Sequence, residues 1–163
     1  MVNDRKHEVK FADCYVLTDK RTKKFILSFL DKFLPNRQEY THVYEIPQLA
    51  DHPVLVLQSD KELMEYLEQH KNEIHAIYWY NKEESVIRGA MCLFTSDGQV
   101  IIGIFCESLY PDTTNENHFL KELMNFCNSK TGLIEYQTPA ARDTKEFLQR
   151  VAVFNKGPYY KPQ

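Results

Sequence analysis

Ile87–Glu107, IRGAMCLFTSDGQVIIGIFCE, is the stretch on which the fold of this chain turns. Two apolar runs, Ala90–Phe94 and Val100–Cys106, flank Thr95-Ser96-Asp97-Gly98-Gln99. An Asp-Gly pair between apolar runs signals a hairpin, because both residues tolerate the positive φ of a tight primed turn. Neither arm alternates cleanly with polar residues. The pair is therefore expected at the centre of a sheet, or covered on both faces.

Working back from the hairpin, Asn81–Ser85 reads as a polar turn and Ile74–Tyr80 (IHAIYWY) as an aromatic, β-branched strand. Ser59 with Glu62 forms a capping box that opens a helix running to Gln69, with Leu63, Met64 and Leu67 inward. Pro53–Leu57 reads as a short continuous apolar strand, Gln48–His52 as a loop and Tyr40–Ile46 as an alternating strand. Phe25, Ile26, Phe29, Leu30, Phe33 and Leu34 recur at helical spacing, predicting a helix over Arg21–Leu34 capped by Thr18 or Asp19 and ended by Pro35. Phe11–Leu17 is the first strand, with Tyr15 and Leu17 on one side and Cys14 and Val16 on the other. Residues 1–10 read as a frayed lead-in.

Forward from the hairpin, Tyr110-Pro111-Asp112 breaks the chain, and Thr113 with Glu116 reads as a second capping box. The helix it opens turns Phe119, Leu120, Leu123, Met124 and Cys127 inward, with Gly132 suited to its C-terminal cap. Leu133–Gln137 is a short strand. Asp143 with Glu146 opens a last helix with Phe147, Leu148, Val151 and Ala152 inward, and Lys156–Gln163 is tail-like. The order predicts a single α+β domain over residues 1–163, a mixed, mainly antiparallel sheet of about seven strands with about four helices packed on it.

With 163 residues, 43% of them apolar, and ten Phe, ten Tyr and one Trp, the chain can build a core without disulfides or metal. Its start, MVNDRKHEVK, has no apolar run of a signal peptide, and no window spans a membrane. Cys14, Cys92, Cys106 and Cys127 each sit in an apolar pattern and read as reduced, buried thiols, which points to the cytoplasm. The net charge of −3 is unevenly spread: residues 38–120 carry four positive and fourteen negative charges, and both flanks are net positive. Such a middle attracts basic partners and repels nucleic acid.

Motifs for chemistry are sparse. The sequence has no CxxC, HExxH, GxxxxGK[ST], GxGxxG or GxSxG pattern, so no metal, cofactor or catalytic set is assigned. His70 and His75, the closest histidine pair, straddle a helix end and a strand and read as surface or capping residues. Cys106 is the best-placed thiol, with His118 or His75 within conceivable reach, but Glu107 beside it opposes thiolate formation. Glu62, Glu65 and Glu68, like Glu83-Glu84 and the Glu107/Asp112 pair, read as solvated carboxylates. Arg88-Gly89 opens like an RNA-recognition motif, yet Ala90, Cys92 and Thr95 stand where stacking aromatics belong. Lys20, Arg21, Lys23 and Lys24 read as exposed cations.

Tyr78-Trp79-Tyr80 stands out. In a strand, Tyr78 and Tyr80 share one face and Trp79 takes the other. The candidate binding residues are Tyr78, Trp79, Tyr80, Glu83, Glu84 and Glu107, with Tyr159 and Tyr160 of the tail raising the same possibility. No motif names a family or a function. The leading expectation is a small cytoplasmic, non-enzymatic protein-binding domain with a basic partner and no nucleic acid or membrane. In size, acidity and lack of catalytic apparatus it is similar to bacterial immunity proteins, which mask a basic toxin with an acidic face. The alternatives are an enzyme or small-ligand protein with a site of scattered carboxylates, histidines and tyrosines, and a structural subunit of an oligomer.

Overall fold

The computed structural model describes residues 10–156. The expectations for residues 1–9, for Tyr159 and Tyr160, and for the tail from Gly157 on lie outside the described residues. In chain order the elements are β1 (Lys10–Thr18), α1 (Lys23–Phe33), β2 (Arg37–Glu39), β3 (Tyr44–Ile46), β4 (Leu55–Leu57), α2 (Asp60–Gln69), β5 (His75–Asn81), β6 (Ile87–Phe94), β7 (Val100–Ser108), α3 (Thr114–Cys127), β8 (Gly132–Glu135) and α4 (Thr144–Lys156). The α+β architecture is as predicted. The strands form two sheets instead of one, a six-stranded sheet in the order β2-β5-β6-β7-β1-β8 and a separate β3-β4 ribbon, and every pairing is antiparallel.

The β6–β7 hairpin occupies the centre of the large sheet, and alternation along the strands builds a layer on each face. Cys14 and Val16 of β1, Ile77 and Trp79 of β5, Cys92 and Phe94 of β6, and Ile102 and Ile104 of β7 join the larger core with α1, α2 and α3. Tyr15, Leu17, Met91, Leu93, Ile101 and Leu133 face the other way and pack on Ala141 and on Phe147 and Val151 of α4. The split expected for β1 is the one observed.

Several expected details are corrected. The hairpin closes through a three-residue loop: Thr95 N–H donates to the Gln99 carbonyl at 3.0 Å, Gly98 N–H reaches the Thr95 carbonyl at 3.4 Å, and only Gly98 takes a positive φ, +80°. The Thr95 hydroxyl accepts from Gln99 N–H at 3.1 Å and holds this wider turn in place of a two-residue primed one. Thr22, not Thr18 or Asp19, caps α1, its hydroxyl accepting from Phe25 N–H. The expected strand over Tyr40–Ile46 is broken, because the Thr41 hydroxyl bonds the Val43 backbone and turns the chain between β2 and β3. The apolar run of β4 is a ribbon strand with Leu55 and Val56 exposed.

At the far end, Asn128 in the left-handed conformation caps α3. Gly132 instead lies inside β8, where a Cβ would stand 3.0 Å from Leu120 and from the Tyr15 carbonyl. In α4, Leu148 and Ala152 are exposed. The narrow seat over β8 admits only the stripe of Phe147 and Val151, with Phe154 half-buried. Lys156, read as tail, is the last residue of that helix.

Candidate functional site

The four-residue strand β8 seats α4 over only part of its face of the sheet, and among the described residues no other helix covers the rest. Its side chains follow from the register. One row across the strands runs Glu135, Asp13, Phe105, Gly89, Tyr80 and Gln38. The next runs Leu133, Tyr15, Gly103, Met91 and Tyr78, and Tyr40 N–H donates to the Tyr78 carbonyl to extend it. Phe11 and Glu107 pair in a third, where a bulge at Arg88 turns its guanidinium to within 3.7 Å of Glu107.

Two glycines shape this surface. At Gly103 a Cβ would lie 2.6 Å from the Tyr15 ring, and at Gly89 2.6 Å from the Trp79 carbonyl and 3.3 Å from Phe105. Their missing side chains let Tyr15 and Phe105 lie down across the strands. Aromatic rings then run in continuous contact: Tyr40 to Tyr80 at 5.2 Å, Tyr40 to Tyr78 at 6.4 Å, Tyr78 to Phe105 at 6.4 Å, and Phe105 to Tyr15 at 6.4 Å. Tyr40, Tyr78, Tyr80 and Phe105 bound a cleft of about 770 Å³ that also takes in Phe11, Asp13 and Arg88. Tyr78 is 38% exposed, Phe11 46%, Tyr80 48% and Tyr40 62%, so these rings meet solvent.

Asp13 is the charged group at the end of this aromatic row. Its side chain is half-buried and makes no hydrogen bond or ion pair among the described residues. Burial, then the facing Glu135, pushes its carboxyl up to about 6. Glu135 is served differently: Arg150 Nη1 of α4 donates to both of its oxygens at 3.1 Å. Two carboxylates thus stand side by side in the sheet, and of the two only Glu135 is bonded to Arg150.

Of the predicted site residues, Tyr78 and Tyr80 line the cleft and Glu107 borders it through Arg88. Glu83 and Glu84 are exposed in the β5–β6 turn beyond it. Trp79 is corrected: its side chain is buried in the larger core, Nε1 donating to Asp60 at 2.9 Å. Glu62, Glu65 and Glu68 ride on α2 against the opposite face of the sheet, so they do not share a surface with the tyrosines.

Other candidates fall away for physical reasons. All four cysteines are free and buried, and burial holds the Cys92 thiol well above its ordinary range and Cys127 up at about 12. His75 is buried, not at the surface, and His118 rests against Phe119. Arg21 is no exposed cation: its guanidinium donates to the carbonyls of Leu67, His70, Glu73, Thr95 and Gln99. Glu116 forms no capping box. It is fully buried, accepting from the Ser108 hydroxyl at 2.5 Å and the Tyr136 hydroxyl at 2.7 Å, and Asp112 accepts from Thr114 N–H at the helix start in its place.

Sequence reasoning missed Asp13, Tyr40 and Phe105. A signal existed for Asp13 alone, a carboxylate in register with Phe11, Tyr15 and Leu17 on one strand face. No protein-family model, curated protein or solved structure matches the chain. Among the described residues no helix is long and apolar enough to cross a membrane, and no three potential ligands converge as a metal site.

Proposed function

We propose that this chain is a small non-enzymatic binding domain that docks a basic protein on the open aromatic half of its sheet, in the manner of an immunity protein. The observation that carries this reading is the ring array of Tyr40, Tyr78, Tyr80 and Phe105 left uncovered beside α4. Tyrosines held by cross-strand contacts bury much area at small entropic cost, and such residues dominate protein interfaces. Asp13 within the cleft, Glu107 at its border and Glu83-Glu84 in the adjoining turn supply negative charge, which favours a basic partner and speeds its approach.

The test is capture from a lysate of the native host by the wild type and by a Tyr78→Ala/Tyr80→Ala double variant, followed by binding kinetics on the captured protein. The expected partner is basic, is lost with the double variant, and associates more slowly as salt rises or when Glu83 and Glu84 are changed to lysine. An acidic partner, or one indifferent to both tyrosines, overturns the reading.

A further inference from the structure

We infer that the Asp13 carboxylate is the receptor for one arginine side chain of the partner, stacked on Phe105 and Tyr78 within the cleft. The inference rests on the proposed docking face and names the group recognised there. Three observations converge on it.

The first is an imbalance of partners. Asp13 and Glu135 face each other across β1 and β8, and Arg150 binds Glu135 through both carboxylate oxygens. Arg88, the cation among the residues lining the cleft, stands by Glu107. The Asp13 carboxylate is left half-buried beside another carboxylate, with no donor among the described residues. A half-buried charge in that position is costly to keep, and an incoming cation removes the cost.

The second is the surroundings. Phe105 is the direct cross-strand neighbour of Asp13, and Tyr78 lies nearly parallel to Phe105, at 18°. A flat guanidinium suits this floor: it stacks on rings and presents paired N–H groups to a carboxylate, where a strongly hydrated ammonium does neither as well. The same fold already uses guanidinium groups in both ways, with Arg21 over the Phe94 ring at 5.0 Å and Arg150 donating from Nη1 to both oxygens of Glu135.

The third is room. The cleft of about 770 Å³ includes Asp13 in its lining and opens between exposed rings, so a side chain from outside can reach the carboxylate.

The experiment titrates the protein with three capped tripeptides, Gly-Arg-Gly, Gly-Lys-Gly and Gly-citrulline-Gly, followed by NMR of the tyrosine and phenylalanine rings. The arginine peptide should bind best and shift Tyr78 and Phe105, and the uncharged citrulline peptide should bind about tenfold more weakly. Asp13→Asn, close in shape and expected to fold, should weaken the arginine peptide about tenfold and leave the citrulline peptide unchanged. Arg88→Gln should tighten the arginine peptide by removing a like charge. Equal binding of all three peptides, no effect of Asp13→Asn, or loss of binding with Arg88→Gln overturns the inference, the last by marking an anion site on Arg88. If Asp13→Asn leaves binding of the captured basic protein intact while the tyrosine double variant abolishes it, the arginine site fails and the docking face stands.

Discussion

Asp13 shows how a single residue can oppose the fold that holds it. Its carboxyl ordinarily titrates near 3.8 and in the folded chain is pushed up to about 6 by burial and by Glu135. A group raised in this way favours the folded state at low pH, below about 4, and that advantage is lost as the pH rises through 6. At neutral pH the ionised Asp13 therefore costs stability, and Asp13→Asn should raise it by about 1–2 kcal/mol after allowance for partial exposure. Denaturant melts of both proteins between pH 4 and pH 8 would check this. The gap should open with rising pH, and a variant less stable than the wild type at pH 7.5 would mean that Asp13 has a partner which stabilises it. A carboxylate retained at such a cost is the pattern expected of a recognition residue.

At the scale of elements, Arg21 ties together pieces that local sequence keeps apart. Its Nε and both terminal nitrogens supply five N–H groups, and five carbonyls receive them: Leu67 and His70 at the end of α2, Glu73 in the loop beyond it, and Thr95 and Gln99 at the mouth of the central hairpin. The guanidinium sits at the negative end of α2 and over the Phe94 ring. Arg21→Lys keeps the charge but offers three donors on a tetrahedral nitrogen, so at least two of the five carbonyls lose the donor that Arg21 supplies. The expected loss is about 2–4 kcal/mol, read from the urea midpoint at constant slope. A change below about 0.5 kcal/mol would show that charge alone is needed there. Nothing local distinguishes Arg21 from Lys20, Lys23 and Lys24, because its partners lie 46 to 78 residues away. Where the partner was local the expectation came closer, as with Ser59, whose hydroxyl accepts from Glu62 N–H at the start of α2, while the Glu62 carboxylate accepts from Gln58 N–H in place of the Ser59 N–H of a full capping box.

For the whole molecule, the two faces of the sheet differ in how completely they are sealed. Cys14, Cys92, Cys106 and Cys127 all belong to the layer under α1, α2 and α3. Their exposure requires the main core to open, which ties it to global unfolding and not to local fluctuation. Modification by a thiol reagent should therefore be slow for all four in the native protein and should accelerate together as urea approaches the midpoint. One thiol reacting rapidly without denaturant would reveal a separate opening of that layer. Among the described residues the other face is sealed only where α4 lies, and the aromatic cleft lies beside it.

What the sequence determined by itself was everything carried by short spacing. The Asp97-Gly98 turn placed the central hairpin, a period of two divided Cys14 and Val16 from Tyr15 and Leu17, and a period near 3.6 placed the inward residues of α1 and α2. It also set Tyr78 and Tyr80 against Trp79 on opposite faces of β5. Only the tertiary structure decided which of those faces stays open, because that depends on where α4 comes to rest. α4 packs on Tyr15, Leu17, Met91, Leu93, Ile101 and Leu133 and stops short of Tyr78 and Tyr80. The same holds for Glu116, whose spacing from Thr113 fits a surface cap equally well. Ser108 and Tyr136, brought in by β7 and the segment after β8, draw its carboxylate into the interior. Periodicity assigns a residue to a face, and burial of that face is settled by elements distant in the chain.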